Sequence, residues 1–230
     1  MQVLLFLHRL YFFVILNIRN KKTYKMKKII FLFIISSLIS IKGIGLTLSP
    51  ETEVSILTCA PGNELYSLFG HTAIRINDPR HQIDRVYNYG TFDFSTPHFY
   101  LKYARGLLPY QLTVQKFSHF IYNYQLEERT VYAQTIRLDS LEKQRIFDLL
   151  EENLLPQNRY YLYNFLFDNC TTRSRDILLK SLPDSVAWNM PDVNKNFWNL
   201  LDEYLQASPW VQWGIHTILG QRGNRMATTF

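Results

Sequence analysis

Hydrophobic and polar positions alternate over residues 54–59, 71–77 and 85–89, the period of a half-buried strand. The first run stops at Pro61-Gly62. The other two flank Asp78-Pro79-Arg80-His81, a favoured opening for a type I turn. Residues 112–115 and 130–138 read as further strands. Helical spacing covers 64–69, 96–105 with Pro97 in its first turn, 118–125, 196–205 and a last stretch near 210–220. Asp139-Ser140-Leu141-Glu142 resembles a capping box, and the helix it opens runs to about residue 153, with Ile146, Leu149, Leu150 and Leu154 on one face and Pro156 as its stop. Residues 160–167 form an aromatic approach to a helix over 170–182, which Pro183 ends. Strands and helices in this mixed order predict an α+β domain, with no repeats or low-complexity tracts.

Residues 1–45 have a different character. Met26-Lys27-Lys28 precedes a mostly apolar run over 29–39, followed by Gly43 and Gly45. That order of charged, apolar and small residues is the pattern of a secretory signal over 26–45, with translation expected to start at Met26. The mature domain is then 46–230, expected to be short at its C-terminus. The leader also changes the charge picture. It holds eight of the 25 basic residues and none of the 19 acidic ones, so the formal +6 becomes −2 without it. No basic groove pattern remains that points to nucleic acid.

There are two cysteines, Cys59 and Cys170. An exported chain with two cysteines invites a disulfide, although two cysteines alone make no framework. Cys170 has a chemical reading as well. It follows Asp168 and Asn169, either of which can cap the helix, so its thiol sits where the helix dipole favours a thiolate. Arg173 and Arg175 add nearby positive charge. The alternative is an inert buried cysteine. His71 follows Phe69-Gly70, a crowded approach, at the start of a strand. His81, His98, His119 and His216 read as surface or loop residues, and no histidine pair has zinc-site spacing. If Asp78 pairs with His81 across the turn, His71 faces Asn88, which then orients the imidazole; Asp93 is a second candidate. Glu64, Tyr66 and Ser67 lie just before His71 as candidate pocket residues, with Tyr66 a candidate oxyanion donor; an ordinary capped helix is the simpler and preferred account of them. The aromatic run over 160–167 fits a core, an acyl-chain groove or a membrane-facing rim.

The segments TCAPG at 58–62, ELYSLFGHTAIR at 64–75, VYNYG at 86–90 and NFLFDNCTTR at 164–173 together resemble the Lnb N-terminal periplasmic domain family, lipoprotein N-acyltransferases of Bacteroidetes type. The resemblance covers about residues 47–230. More distantly, the order of histidine before cysteine is similar to permuted papain-like enzymes, among them lecithin:retinol acyltransferase and NlpC-type relatives. It implies Cys170 as nucleophile, His71 as base and Asn88 as the third polar residue. It also implies a periplasmic, membrane-proximal enzyme that moves an acyl chain from phospholipid to the amine of a lipoprotein, without metal or cofactor. Two alternatives stand beside it. One is an NlpC-like cell-wall peptidase or amidase; the other is a non-catalytic envelope binding module with a Cys59–Cys170 disulfide. Family members usually continue into membrane-spanning helices, and this chain ends before any such segment.

Overall fold

The structure, a computed structural model, describes residues 45–182 and 194–227. The leader up to residue 44 and the helix stop at Pro183 lie outside the described residues. From Thr47 onward the described residues belong to one compact unit.

Among them, β1 (Glu53–Cys59), β2 (His71–Asp78), β3 (Ile83–Thr91), β4 (Pro109–Lys116), β5 (Val131–Thr135) and β6 (Tyr160–Leu162) form an open sheet in the order β5-β1-β2-β3-β4-β6. Every neighbouring pair is antiparallel. The helices are α1 (Phe99–Ala104), α2 (Phe117–Leu126), α3 (Ser140–Leu154), α4 (Cys170–Ser181), α5 (Phe197–Leu205) and α6 (Pro209–Leu219), followed by a 3-10 turn, Gly220–Asn224. The α+β class follows directly from this arrangement.

Alternation along the strands sorts the core into two layers. On one face Val54, Ile74, Ile76, Tyr87, Tyr89 and Leu112 pack with Ile146, Phe147 and Leu150 of α3 and Ile177 of α4. On the other, Leu57, Cys59, Ala73 and Val86 pack with Phe120 of α2. Covering both faces explains why Val86, Tyr87, Asn88 and Tyr89 are all buried, with no exposed position between them. A third cluster joins Leu166 to Phe197, Leu201 and Leu205 of α5, with Ile215 and Leu219 of α6 beside it.

Three expectations are corrected. Residues 64–69 are turns, not a helix. The Ser67 carbonyl accepts from the N–H groups of Gly62 and Gly70, and Ser67 N–H bonds back to Glu64, so the segment closes into a loop too short to carry a helical ladder. The helix expected over 96–105 starts only at Phe99, because His98 is left-handed at φ 57° and leaves Pro97 outside. The 160–167 approach contains an edge strand, β6, paired with Pro109, Tyr110 and Gln111 of β4.

Asp78 sets the β2–β3 connection. Its side chain is fully buried. It accepts from the Ser49 N–H at 2.8 Å, the Ser49 hydroxyl at 2.7 Å, the N–H groups of Arg80 and His81, and His81 Nδ1 at 2.8 Å. Holding both Arg80 and His81, the carboxylate organises a four-residue loop, and Asp78 pairs with Ile83 rather than His81. Burial by itself would raise its pKa, but these hydrogen bonds outweigh that and hold it far below the usual carboxylate range. Asp78→Ala is expected to lower stability by about 2–4 kcal/mol, since it strands buried donors; the urea midpoint checks it. Because the folded value is depressed, the stabilisation is complete above the unfolded value of about 3.9 and fades as pH falls below it. Asp78→Asn should therefore flatten the loss of stability seen on acidification.

Candidate active site

Of the two candidate caps, Asn169 begins α4. Its Oδ1 accepts the N–H groups of Thr171 and Thr172, each at 2.9 Å, and its own N–H donates to Thr172 Oγ1 at 2.8 Å. This is a capping box with Thr in the place usually taken by Glu or Gln. Asp168 instead forms a two-pronged pair with Arg173 at 2.6 and 2.8 Å. Cys170 is thus the first helical residue, and its N–H has no intrahelical acceptor.

The hairpin register differs from the expected one by two residues. Ile74 pairs with Tyr87, so Ala73 stands opposite Asn88, and continuing the count puts Gly90 opposite His71. A two-residue shift preserves the face. Asn88 therefore remains on the side of His71, one step diagonally along the strand, and Asn88 Oδ1 lies 3.2 Å from His71 Nε2. Asn88 Nδ2 donates to the Val86 carbonyl at 3.3 Å, which fixes the amide with its oxygen toward the ring. His71 Nε2 then carries the proton, and Nδ1 is left as the basic nitrogen for the thiol.

Two glycines with left-handed backbone stand at the strand ends beside the site. Gly70 has φ 73°, and a Cβ there would lie 2.5 Å from the Cys59 carbonyl oxygen. Gly90 has φ 85°, next to a bulge between Asn88 and Thr91, and a Cβ there would lie 3.6 Å from Cys170 Cβ. Thr72, next to His71, and Thr171, next to Cys170, join hydroxyls at 2.9 Å and tie β2 to α4.

Burial opposes ionisation of the Cys170 thiol. The His71 imidazole, hydrogen-bonded to it, together with the Thr72 N–H and the Thr171 hydroxyl, outweighs burial and brings the thiol down to about 7. Arg173 and Arg175 do not supply this effect: Arg173 is taken by Asp168 and stacks 3.5 Å above the Tyr161 ring, and Arg175 pairs with Asp176. Cys59 is the opposite case. Burial pushes its thiol up to about 11, beside Tyr124 and Arg129.

The disulfide alternative is not met. Both cysteines are free. Cys59 belongs to the α2 layer and stands opposite His71 across β1 and β2, whereas Cys170 packs against the α3 layer at the start of α4.

Cys170 and His71 open on a cleft of about 310 Å³, walled by Tyr66, Phe69, Phe92, Tyr110 and Tyr163 and, from α6, Ile215 and Leu219. Arg105 and Arg222 also line it. Tyr66 lines the cleft. Glu64 does not: it is solvent-exposed and contributes its carbonyl to the Ser67 turn. Asp93 is exposed and binds Ser95, away from the imidazole. His216 is not a surface residue but is partly buried on α6, bonded to Asp202 at 2.7 Å and stacked on Trp198. Among the described residues no three of His, Cys, Asp and Glu are grouped to hold a metal ion. Sequence reasoning missed Tyr110 and Phe92, which β4 and the end of β3 bring in, and the α6 wall. The stack of Tyr110 on Tyr163, centroids 4.3 Å apart, depends on β6 pairing with β4.

Alkylation of Cys170 by iodoacetamide is expected to rise with pH through a midpoint near 7. In His71→Ala the burial penalty stays and its largest counterweight goes, so the midpoint should move above the free-thiol value of about 8.5. Gly90→Ala forces an L side chain into a left-handed backbone and should cost about 1–2 kcal/mol, read by thermal or urea unfolding.

No curated protein and no solved structure shows a significant match to this chain. Residues 47–202 match the family model described as the Lnb N-terminal periplasmic domain, a stretch that contains His71, Cys170, the capped start of α4 and the aromatic wall at Tyr163. The chain belongs to the Lnb N-terminal periplasmic domain family.

Proposed function

We propose that this domain is a thiol acyltransferase, in which a permuted papain-like arrangement carries an acyl chain from a phospholipid through Cys170 to the N-terminal amine of a lipoprotein. The observation that carries the reading is a thiol lowered to about 7 at the end of a cleft walled mainly by apolar and aromatic side chains. A peptide-cleaving site needs polar partners for a peptide backbone along its cleft. This one offers rings and aliphatic side chains, which suit a hydrocarbon chain.

In the first step His71 Nδ1 takes the Cys170 proton and the thiolate attacks the ester carbonyl carbon. The oxyanion that forms accepts from the unpaired N–H of Cys170, with the Tyr66 hydroxyl as second donor. Collapse breaks the ester C–O bond, the imidazolium protonates the departing alkoxide, and a lysophospholipid leaves behind a thioester. In the second step the lipoprotein α-amine attacks the thioester carbonyl and gives its proton to His71. The C–S bond breaks, and His71 returns the proton to sulfur. Asn88 holds the ring with Nδ1 toward the thiol in both steps. No redox change occurs, and neither metal nor cofactor enters the scheme. The family is one of periplasmic domains, and periplasmic phospholipid and lipoprotein are the partners this reading requires. No described helix is long and apolar enough to cross a membrane.

Intact-mass spectrometry after incubation with phospholipid tests the first half-reaction. The expected result is one added acyl chain on Cys170, released by hydroxylamine and absent from Cys170→Ala. His71→Ala should slow its appearance by about 10²–10⁴-fold. An unmodified thiol, with cleavage of cell-wall peptides instead, would establish a peptidase and defeat the proposal.

A further inference from the structure

The mouth of the cleft has two walls whose composition the chemistry at Cys170 does not require. On one side, α1 and the loop after it put Tyr103, Arg105 and Leu108 on the cleft. On the other, α6 and the 3-10 turn contribute Ile215, Ile218, Leu219 and Arg222. Outside the cleft both walls remain apolar. Leu101 and Leu107 are exposed beside α1, and along α6 Trp210 is 85% exposed, Trp213 67% and Ile218 60%. Helix α6 has the sequence PWVQWGIHTIL, yet not one of its residues is fully buried. An apolar helix of this kind in water lacks a partner for its outer face.

Charge identifies the partner. Residues 98–108 and 209–225 contain no Asp or Glu, while Lys102, Arg105, Arg222 and Arg225 are all basic. None of the four forms an ion pair among the described residues. The chain from residue 46 on has a net charge of −2, so these two segments, from which Arg105 and Arg222 line the cleft, run against the overall sign. Exposed tryptophans and leucines interleaved with unpaired Lys and Arg form the pattern of a surface that lies in the headgroup region of an anionic bilayer.

We propose that α1 and α6 form a two-sided rim that docks the cleft mouth onto an anionic phospholipid surface, with Trp210 and Trp213 inserted at headgroup depth. The rim is continuous with the cleft through Ile215, Ile218 and Leu219. An acyl chain leaving the bilayer therefore meets apolar side chains up to the thiol and does not cross water. This use of the surface rests on the acyltransferase reading, whereas the docking itself does not.

The test uses the full chain carrying Cys170→Ala, so that binding is measured without chemistry. Tryptophan fluorescence is followed on adding vesicles of phosphatidylglycerol and phosphatidylethanolamine with brominated acyl chains, beside vesicles of brominated phosphatidylcholine. The segment 1–45 contains no tryptophan, so membrane insertion of that segment gives no quenching of its own. The expected result is strong quenching with the anionic vesicles, weakened by salt, and largely lost in Trp210→Phe/Trp213→Phe. Replacing Lys102, Arg105, Arg222 and Arg225 by Gln should weaken the quenching titration by about 100-fold or more. Quenching that persists in the double Phe variant would overturn the proposal. So would equal quenching by both vesicle types, or concentration-dependent self-association that shields the two indoles from acrylamide without lipid. Docking without an acyl adduct in the wild-type chain would sink the acyltransferase reading and leave the docking intact; an adduct without docking would do the reverse.

Discussion

A helix N-terminus and two strand ends have to come within bonding distance of one another before any chemistry is available here, and the approach is a backbone matter. A side chain at position 90 would stand 3.6 Å from Cys170 Cβ and one at position 70 would meet the Cys59 carbonyl at 2.5 Å. Both positions take the left-handed backbone that glycine adopts without strain, at φ 73° and 85°, and at position 70 a side chain has no room against β1. The Thr72–Thr171 contact and the bulge after Asn88 fix the remaining freedom. With that distance set, the cap at Asn169, the tautomer of His71 and the cleft walls each have a defined position to act on.

The same closeness governs the contrast between the two thiols. Both sit in low-dielectric surroundings that resist ionisation. Cys59 faces the α2 layer, where Tyr124 and Arg129 do not offset burial. Cys170 gains an imidazole and two hydrogen-bond donors, and the balance reverses. Helix position contributes, but a capped helix without His71 would leave a buried thiol on the unreactive side of neutrality. The nearby arginines, which look from the sequence like the source of positive charge, are consumed by Asp168 and Asp176 and serve to brace the approach to the helix.

Much of this was legible in the chain because the signals are local. Alternation marked β1, β2 and β3, and the Asp139 capping box marked α3. The run DNCTT placed a cysteine at a helix start. The hairpin count chose the right face for Asn88 from the wrong register: Asp78 has enough buried acceptor capacity to hold a four-residue loop, and the slip of two keeps the parity. What was illegible is tertiary. Six residues over 64–69 have helical composition but close on their own carbonyls. Three residues of β6 are too few to show a period and acquire strand geometry only by pairing with β4. The exposure of Trp210 and Trp213 was equally invisible, since apolar spacing along 209–219 reads the same whether or not anything covers it.

His71 and Cys170 are ninety-nine positions apart in a chain made from one end, and the bond between Thr72 and Thr171 spans the same interval. Until the last strands and α4 are in place, Cys170 is an ordinary thiol with a pKa of about 8.5, only a few per cent thiolate at neutral pH. Closure of the sheet against the helix brings the thiol down to about 7. The nascent or unfolded chain is therefore chemically quiet, and nucleophilicity switches on at the end of folding. The long sequence interval thus couples the ionisation of this one sulfur to completion of the fold around it.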